Sequence, residues 1–263
     1  MSEPVFFNPA GDNAMEEVSE AARRTFKYFW RELSWERRRI IPALDMDSIK
    51  LRFTDGPRTD GNPDNEVMWL NQVDFDGITL TGTLVNQPNY LTSVKKGDFI
   101  TSHFSYLTDW MITCGGKAYG GFTVNLLRSR MNPAERAAHD QAWGVDFGDP
   151  SEIRIDQSHP DKRTTLIGTG LEGDFWDHKM CVSVLPKYDA QMQSDPAIAT
   201  AIDERGWILL HTEALAGNLG MVKLLIKYGA DPAALTPEGW NAAGLAQAIG
   251  WDEIAAFLTN PTG

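Results

Sequence analysis

The chain is poor in cysteine and has no long apolar segment, which argues against a disulfide-rich or zinc-binding protein and against a membrane protein. Its 263 residues include only Cys114 and Cys181, which make neither a disulfide framework nor a zinc-binding spacing. No segment approaches the ~18 consecutive apolar residues of a membrane helix. The first residues, MSEPVFFNPAGDNAMEE, lack the basic and apolar regions of a secretory signal. We therefore expect a cytoplasmic protein with reduced thiols and no membrane partner.

Positive charge is also scarce, with Lys+Arg 24 against Asp+Glu 36 and a net charge of −12. Proteins that bind nucleic-acid phosphates show the opposite surplus, so we expect no nucleic-acid partner. Residues 1–130 hold 17 acidic and 15 basic side chains, whereas residues 131–263 hold 19 and 9. The deficit in the second half indicates either a solvated face or an acidic surface offered to a basic protein.

The pattern of apolar residues predicts an α+β arrangement in the first half. Apolar residues recur at three- and four-residue steps from Ala14 to Leu33, which predicts an amphipathic helix. From Ser48 to Thr113 the period changes to two, and turn signals such as DGPRTDGNPDN, NQPN and KKGD separate short β-rich runs. We expect a helix packed on an antiparallel sheet of about five strands. Asn132 and Pro133 then predict a short helix that ends near Trp143.

A repeat of 33 residues occupies the last third of the chain. Gly206-Trp207 recurs as Gly239-Trp240 at this offset, and Gly206 maps back to Gly173. The segment GWILLHTEALAGNLGMVKLLIKYGAD resembles an ankyrin repeat over its whole length. The resemblance implies an all-α binding scaffold built from helix pairs, in which His211 hydrogen-bonds the neighbouring turn. His178, one offset earlier, is expected to repeat this role.

The terminal repeat departs from the ankyrin pattern because Gly244 stands where the previous repeat has His211. We expect this change to loosen the cap of the first helix of that repeat. The repeats are expected to pack on the N-terminal domain or on the helices of residues 173–195.

The N-terminal half carries several strings in order: EEVSEAARRTFKYFWREL, NEVMWLNQV, GTLVNQPNY, KKGDFITSHFSYLTDWMI and GGKAYGGFTVNLL. They resemble the YegJ-like family of uncharacterised bacterial domains, in which an ankyrin-like tail is a familiar companion. The resemblance implies a fold and a bacterial accessory or immunity-type context, and it supplies no catalytic residues.

The predicted domains are an α+β domain at 1–131, a helix and polar connector at 132–172, and ankyrin-like repeats at 173–263. The repeats divide into a partial unit at 173–205, a full unit at 206–238 and a degenerate terminal unit at 239–260.

Three patterns invite a catalytic or cofactor role. His103, Asp109 and Cys114 lie close in sequence and suggest a Cys–His–Asp set, but strand and turn positions explain all three. Gly168 to Gly173 fits G-x-G-x-x-G without the strand, helix and βαβ unit that a dinucleotide site requires. The five histidines show no metal-ligand spacing. We therefore expect no catalytic residues, no cofactor and no metal.

A partner surface is predicted on the repeats, because Trp207 and Trp240 each follow a turn glycine. In ankyrin repeats the side chain at this position often projects onto the recognition face. Packing inside the protein is the alternative role for both. Acidic residues accompany them in sequence, and together they would form an aromatic and acidic hot spot for a basic protein. The predicted partner-binding set is Trp207, Trp240, Asp203, Glu204, Glu213 and Glu238.

The sequence thus predicts a non-enzymatic protein-binding protein, and most specifically a bacterial immunity protein that covers the active site of a basic toxin. Two alternatives stay open. One is an enzyme with a cleft in the N-terminal domain around Trp69, His103 and Asp109. The other is a general ankyrin adaptor.

Overall fold

The structure is a computed structural model that describes residues 12–171 and 175–260. Its first helix, α1, is Asn13–Glu36. These residues form two compact units that are not consecutive in sequence. The first unit contains residues 12–25, 43–155 and 163–171, and the second contains residues 26–42, 156–162 and 175–260. Helix α1 therefore contributes its first half to one unit and its second half to the other.

The first unit is built on a six-stranded antiparallel sheet with the order β4-β3-β2-β1-β5-β6. The strands are β1 Met46–Thr54, β2 Asn65–Phe75, β3 Thr79–Leu84, β4 Phe99–His103, β5 Leu107–Cys114 and β6 Lys117–Gly120. Two short strands, β7 Ile153–Arg154 and β8 Arg163–Thr164, pair with each other. The predicted helix and antiparallel sheet are confirmed.

The alternating sequence of the strands gives this sheet two different faces. Ile49 and Leu51 of β1 are fully buried with Trp110 of β5. The Trp110 indole Nε1–H donates to the Ala22 carbonyl and to Thr25 Oγ1, each at 3.1 Å. This face therefore packs on the first half of α1, which explains the apolar stripe of that helix.

Two helices follow the sheet, α2 Phe122–Ser129 and α3 Pro133–Trp143. The predicted start of α3 is confirmed: the Asn132 side chain accepts from the backbone amides of Ala134 and Glu135, and Glu135 completes a capping box. Helix α2 was not predicted. Its Val124 packs with Met111 of β5, Ala118 of β6 and Phe147, against the other side of the sheet from α1.

The second unit is helical. Besides the second half of α1 it contains α4 Lys179–Ser194, α5 Leu209–Leu215, α6 Leu219–Lys227, α7 Ala242–Ile249 and α8 Asp252–Thr259. Helix α5 contacts α6 and α7, α7 contacts α8, and α4 contacts α6. The last contact places α4 beside the repeats, as the sequence predicted for residues 173–195. The predicted domain boundaries after residues 131 and 172 stay a prediction, since the compact units follow contacts in space rather than consecutive segments.

The helix pairs of the repeats are held by the bonds that an ankyrin pattern implies. His211 Nε2 bonds the Ala234 carbonyl oxygen at 2.8 Å, so the role predicted for this histidine is confirmed. The expected loosening at Gly244 is not seen, because Asn241 caps α7 by accepting from the Gly244 amide at 2.8 Å.

Candidate functional site

Two equivalent turns precede the helix pairs of the second unit. In the first, the Asp203 amide donates to the Trp207 carbonyl at 2.7 Å, and in the second the Thr236 amide donates to the Trp240 carbonyl at 2.8 Å. Gly206 and Gly239 have φ of +83° and +87°, which only glycine adopts without strain. The 33-residue repeat in sequence is therefore a repeat of turn geometry.

Each turn presents one large apolar side chain to solvent at the same position. Ile202 is 72% exposed and Leu235 is 61% exposed, and the two are separated by 33 residues. Single exposed apolar side chains are common on protein surfaces. This pair recurs at equivalent positions of consecutive repeats, which makes the two turns the candidate recognition site.

Acidic side chains accompany this pair in the two turns. Asp203, Glu204 and Glu238 are exposed beside Arg205 and Pro237. Arg205 forms an exposed ion pair with Asp203 at 3.1 Å, which leaves two net negative charges on the turns. We call the exposed residues Ile202, Asp203, Glu204, Arg205, Leu235, Pro237 and Glu238 the hairpin surface.

Both flanking carboxylates are held in their ionised form. Partial burial opposes ionisation of Asp203, but hydrogen bonds from the Trp207 amide and from Arg205 lower its pKa. Hydrogen bonds from its own backbone amide, Thr236 and Trp207 lower the pKa of Glu238. The negative charge of the hairpin surface therefore persists well below neutral pH.

Two of the predicted partner-binding residues are not exposed. Trp207 is 4% exposed, its ring packs edge-on against His211 at 5.8 Å between centroids, and Arg205 lies over it. Glu213 is 1% exposed and pairs with Arg38 at 2.9 Å. The burial of Trp207 agrees with the packing role that the sequence left open for it. The burial of Glu213 corrects its expected exposure, because the carboxylate satisfies its charge inside the second unit.

The other predicted residues keep an accessible position. Trp240 is half-buried, and Asp203, Glu204 and Glu238 are exposed. Partner binding by any of the six stays a prediction. Sequence reasoning missed Ile202 and Leu235, although the 33-residue register already aligned them one position before the turns.

The possible Cys–His–Asp set is not assembled in the structure. His103 is exposed, and its Nδ1 bonds Ser105 Oγ at 2.8 Å. Asp109 is fully buried within β5, rather than in the turn the sequence predicted. Cys114 lies five positions further along the same strand, so its side chain leaves the sheet on the opposite face.

Asp109 instead stabilises the start of helix α2. Its carboxylate accepts from the Phe122 amide at 2.9 Å, the Thr123 amide at 2.8 Å and Thr123 Oγ1 at 2.6 Å. Burial raises its pKa, against the effect of the Thr123 hydrogen bonds and the Lys50 charge. Trp69, on β2, is half-buried, with Lys50 Nζ 5.3 Å from its ring centroid. The cleft predicted around Trp69, His103 and Asp109 therefore does not converge on one point.

The strand before the G-x-G-x-x-G match is β8, which has two residues and pairs antiparallel with β7, unlike the parallel strand of a βαβ unit. The Gly168 amide donates to the Thr165 carbonyl at 2.9 Å, which makes a turn. Residues 172 and 173, which complete the motif, lie outside the described residues. The next helix, α4, begins at Lys179.

Among the described residues, one group has the spacing of a metal site: Glu32, Asp156 and His178, whose ligand atoms lie within 4.8 Å of one another. The five-histidine sequence pattern did not predict it, because Glu32 and Asp156 are distant in sequence. His178 Nε2 lies 2.9 Å from Glu32 Oε2, while its Nδ1 accepts from the Met180 amide and caps α4. The predicted turn-bonding role of His178 is therefore replaced by helix capping.

Cationic and neutral donors already occupy the carboxylates of this group. Arg31 donates to Asp156 Oδ2 at 2.8 Å, and Trp176 Nε1 donates to the same oxygen at 2.5 Å. Arg39 donates to Glu32 Oε1 at 3.0 Å. A divalent cation would have to displace a guanidinium from the interior, so the geometry is that of a buried ion-pair network.

The family model described as an uncharacterized protein conserved in bacteria, DUF2314, matches residues 12–147. A putative ankyrin repeat protein of Neisseria meningitidis serogroup B is 39% identical over 260 residues, which cover 97% of this chain and 96% of that protein. The chain belongs to the DUF2314 family.

Two shorter likenesses concern parts of this DUF2314 protein. The uncharacterized protein YegJ of Escherichia coli is 32% identical over 83 residues, 32% of this chain and 50% of YegJ. Protein phosphatase 1 regulatory subunit 27 of Homo sapiens is 42% identical over 57 residues, 22% of this chain and 37% of that protein. The resemblance to a bacterial domain followed by ankyrin repeats is confirmed. Ankyrin-repeat relatives support a protein-binding role.

Within residues 12–171 and 175–260, no helix of this DUF2314 protein is both long and apolar enough to cross a membrane.

Proposed function

We propose that this DUF2314 protein binds another protein through its hairpin surface, and that the partner is a basic toxin which it neutralises as an immunity protein. The observation that carries the binding proposal is the exposure of Ile202 and Leu235 at equivalent positions of two consecutive turns. Two apolar anchors with acidic side chains in the same turns provide both apolar contact area and charge complementarity for a basic surface.

The immunity role rests on the charge distribution and on the lack of a converged catalytic set among the described residues. Residues 131–263 carry ten of the twelve net negative charges, on the part of the chain that holds the repeats. Negative charge steers a basic protein into encounter, which favours fast capture of a toxin.

The binding proposal is tested by co-expressing the protein with the products of its neighbouring genes. Ile202→Asp combined with Leu235→Asp removes both anchors and is expected to abolish co-purification of the partner. Phe99→Asp is the matched control, because Phe99 is 71% exposed but belongs to β4 in the first unit. The proposed surface would be contradicted if the double variant and the Phe99→Asp control both lost the partner equally, or if both retained it.

The toxin role requires a growth assay. Expression of the neighbouring gene alone is expected to stop growth of a host cell, and co-expression of this protein is expected to restore it. The doubly substituted protein should fail to restore growth while remaining folded by circular dichroism. If the partner binds but is harmless when expressed alone, the protein is an adaptor rather than an immunity protein.

A further inference from the structure

A groove runs between helices α4 and α6 of the second unit, with a volume of about 470 Å³. Leu185 and Pro186 of α4 and Leu224 of α6 supply its apolar floor. The helices approach closely at Gly220, where a Cβ would lie 2.8 Å from Leu185 Cδ1. The floor is accessible, since Leu185 and Leu224 are half-buried and Pro186 is exposed.

The lining residues repeat with helical spacing on both walls. Those of α4 lie at 185, 186 and 189, and those of α6 lie at 220, 223, 224 and 227. Val182, 57% exposed, extends the α4 stripe by one turn. Two helix ridges of this kind form a trough into which a third helix packs with its own ridge of apolar side chains.

The charge of these two helices is opposite to that of the unit around them. Four of the five basic residues between 175 and 260 lie on α4 and α6: Lys179, Lys187, Lys223 and Lys227. Of the ten acidic residues in the same range, only Asp189 lies on these helices. The two helices therefore carry a surplus of positive charge within an acidic protein, although the Asp177 carboxylate, just before α4, lies beside the groove at Gly220.

Two of these lysines line the groove itself. Lys223 and Lys227 stand four residues apart on α6, and Lys227 pairs with Asp189 at 2.8 Å. That pair is about half exposed, so it contributes little to stability and can be exchanged for a partner's carboxylate.

We propose that this groove binds an acidic amphipathic helix of a partner protein. The apolar face of such a helix covers Leu185, Pro186 and Leu224, and its carboxylates face Lys223 and Lys227. The site is separate from the hairpin surface, and its occupant has the opposite charge to the partner proposed there. Either proposal can therefore fail without the other.

The test uses the full chain and a synthetic peptide of about four helical turns, with leucine on one face and glutamate on the other. Amide chemical shifts are followed by two-dimensional NMR during titration. The acidic peptide is expected to shift the amides of α4 and α6, and raising the salt concentration should weaken its binding. A peptide with lysine in place of glutamate, and one with two central prolines, are expected to bind at least about fivefold more weakly.

Lys223→Glu reverses one charge in the groove and is expected to weaken binding of the acidic peptide at least about fivefold. Lys187→Glu is the matched control, because Lys187 is an exposed lysine of α4 outside the groove lining. Circular dichroism confirms that both variants are folded. Shifts on the hairpin surface instead of α4 and α6, equal binding of the lysine peptide, or no shifts at ~1 mM peptide would each overturn the proposal.

Discussion

Replacing Asp156 by asparagine removes the negative half of a buried ion pair in the second unit. Arg31 Nη2 lies 2.8 Å from Asp156 Oδ2, and the two side chains are 1% and 2% exposed. The guanidinium also donates to the Trp176 carbonyl at 2.7 Å and lies over the rings of Tyr28 and Trp251. Arg31 cannot turn to solvent without abandoning these contacts, so in the variant it stays buried without its nearest counter-charge, with Asp177 and Glu32 as weaker ones.

The magnitude follows from that uncompensated charge. Breaking one partner of a buried pair costs about 3–5 kcal/mol, and asparagine keeps one acceptor, which favours the lower end. A natural domain is stable by about 5–15 kcal/mol, so a loss of ~3 kcal/mol is a large fraction of the total. With a urea slope of about 1–3 kcal/mol per molar, the unfolding midpoint should fall by about 1–3 M.

Urea unfolding followed by circular dichroism measures this change. Asp189→Asn is the matched control, because Asp189 also meets a cation at 2.8 Å, but that pair is 60% and 46% exposed. The control should leave the midpoint essentially unchanged. Equal effects of the two substitutions would refute the reasoning, since only burial distinguishes the pairs.

The pH dependence gives the same prediction a second test. Burial opposes ionisation of Asp156, but the Arg31 charge and hydrogen bonds from Trp176 and Ser158 hold its pKa well below the ordinary value of 3.8. Since the folded pKa lies below the unfolded one, the stabilisation is complete above the unfolded pKa and is lost as the pH falls through the folded pKa. The difference in stability between the wild type and Asp156→Asn should therefore shrink below about pH 4.

Two further predictions concern other buried positions. Gly217 has φ of +77° and a Cβ there would overlap the Trp251 indole, so Gly217→Ala should cost about 2–4 kcal/mol in urea unfolding. Gly229→Ala, at φ +89° with no heavy atom within 4 Å of the added Cβ, should cost only about 1–2 kcal/mol; equal costs would contradict the overlap. Burial, reinforced by the Asp177 charge, raises the pKa of Cys181 to about 12, so a thiol reagent at mildly alkaline pH should label half-buried Cys114 first and Cys181 only after unfolding. Labelling of Cys181 at the rate of Cys114 in the native protein would contradict this order.

The architecture of each unit was largely predictable, because periodicity reports which face of an element is buried. The change of period between Leu33 and Ile49 separated helix from sheet, and the Asn132-Pro133 signal located α3. Helix α2 escaped prediction because its cap comes from Asp109, thirteen residues earlier on a strand. A cap of that kind has no local signature.

The sequence repeat predicted the turns that carry the candidate site, but not which of their side chains are exposed. The repeat located the turns, but it left open whether Trp207 faces a partner or packs inside, and the side chain is buried against His211. Whether a side chain beside a turn faces inward depends on its partners in space, which sequence spacing does not give. The Glu32, Asp156 and His178 network was not predicted for the same reason, since Glu32 lies more than 100 residues before the other two members.

The division of α1 between two units has a consequence for how the gene can be cut. A fragment that begins at residue 173 contains every ankyrin-like helix, but it omits Arg31 and Trp35, whose indole donates to Asn218 at 3.0 Å. Such a fragment exposes the apolar groups that this helix segment covers, and because it also lacks Asp156 and Glu32, it keeps only His178 of their buried group. The repeats therefore cannot be transferred alone: a truncation or fusion that keeps the second unit intact has to carry residues 26–42 and 156–162 with it.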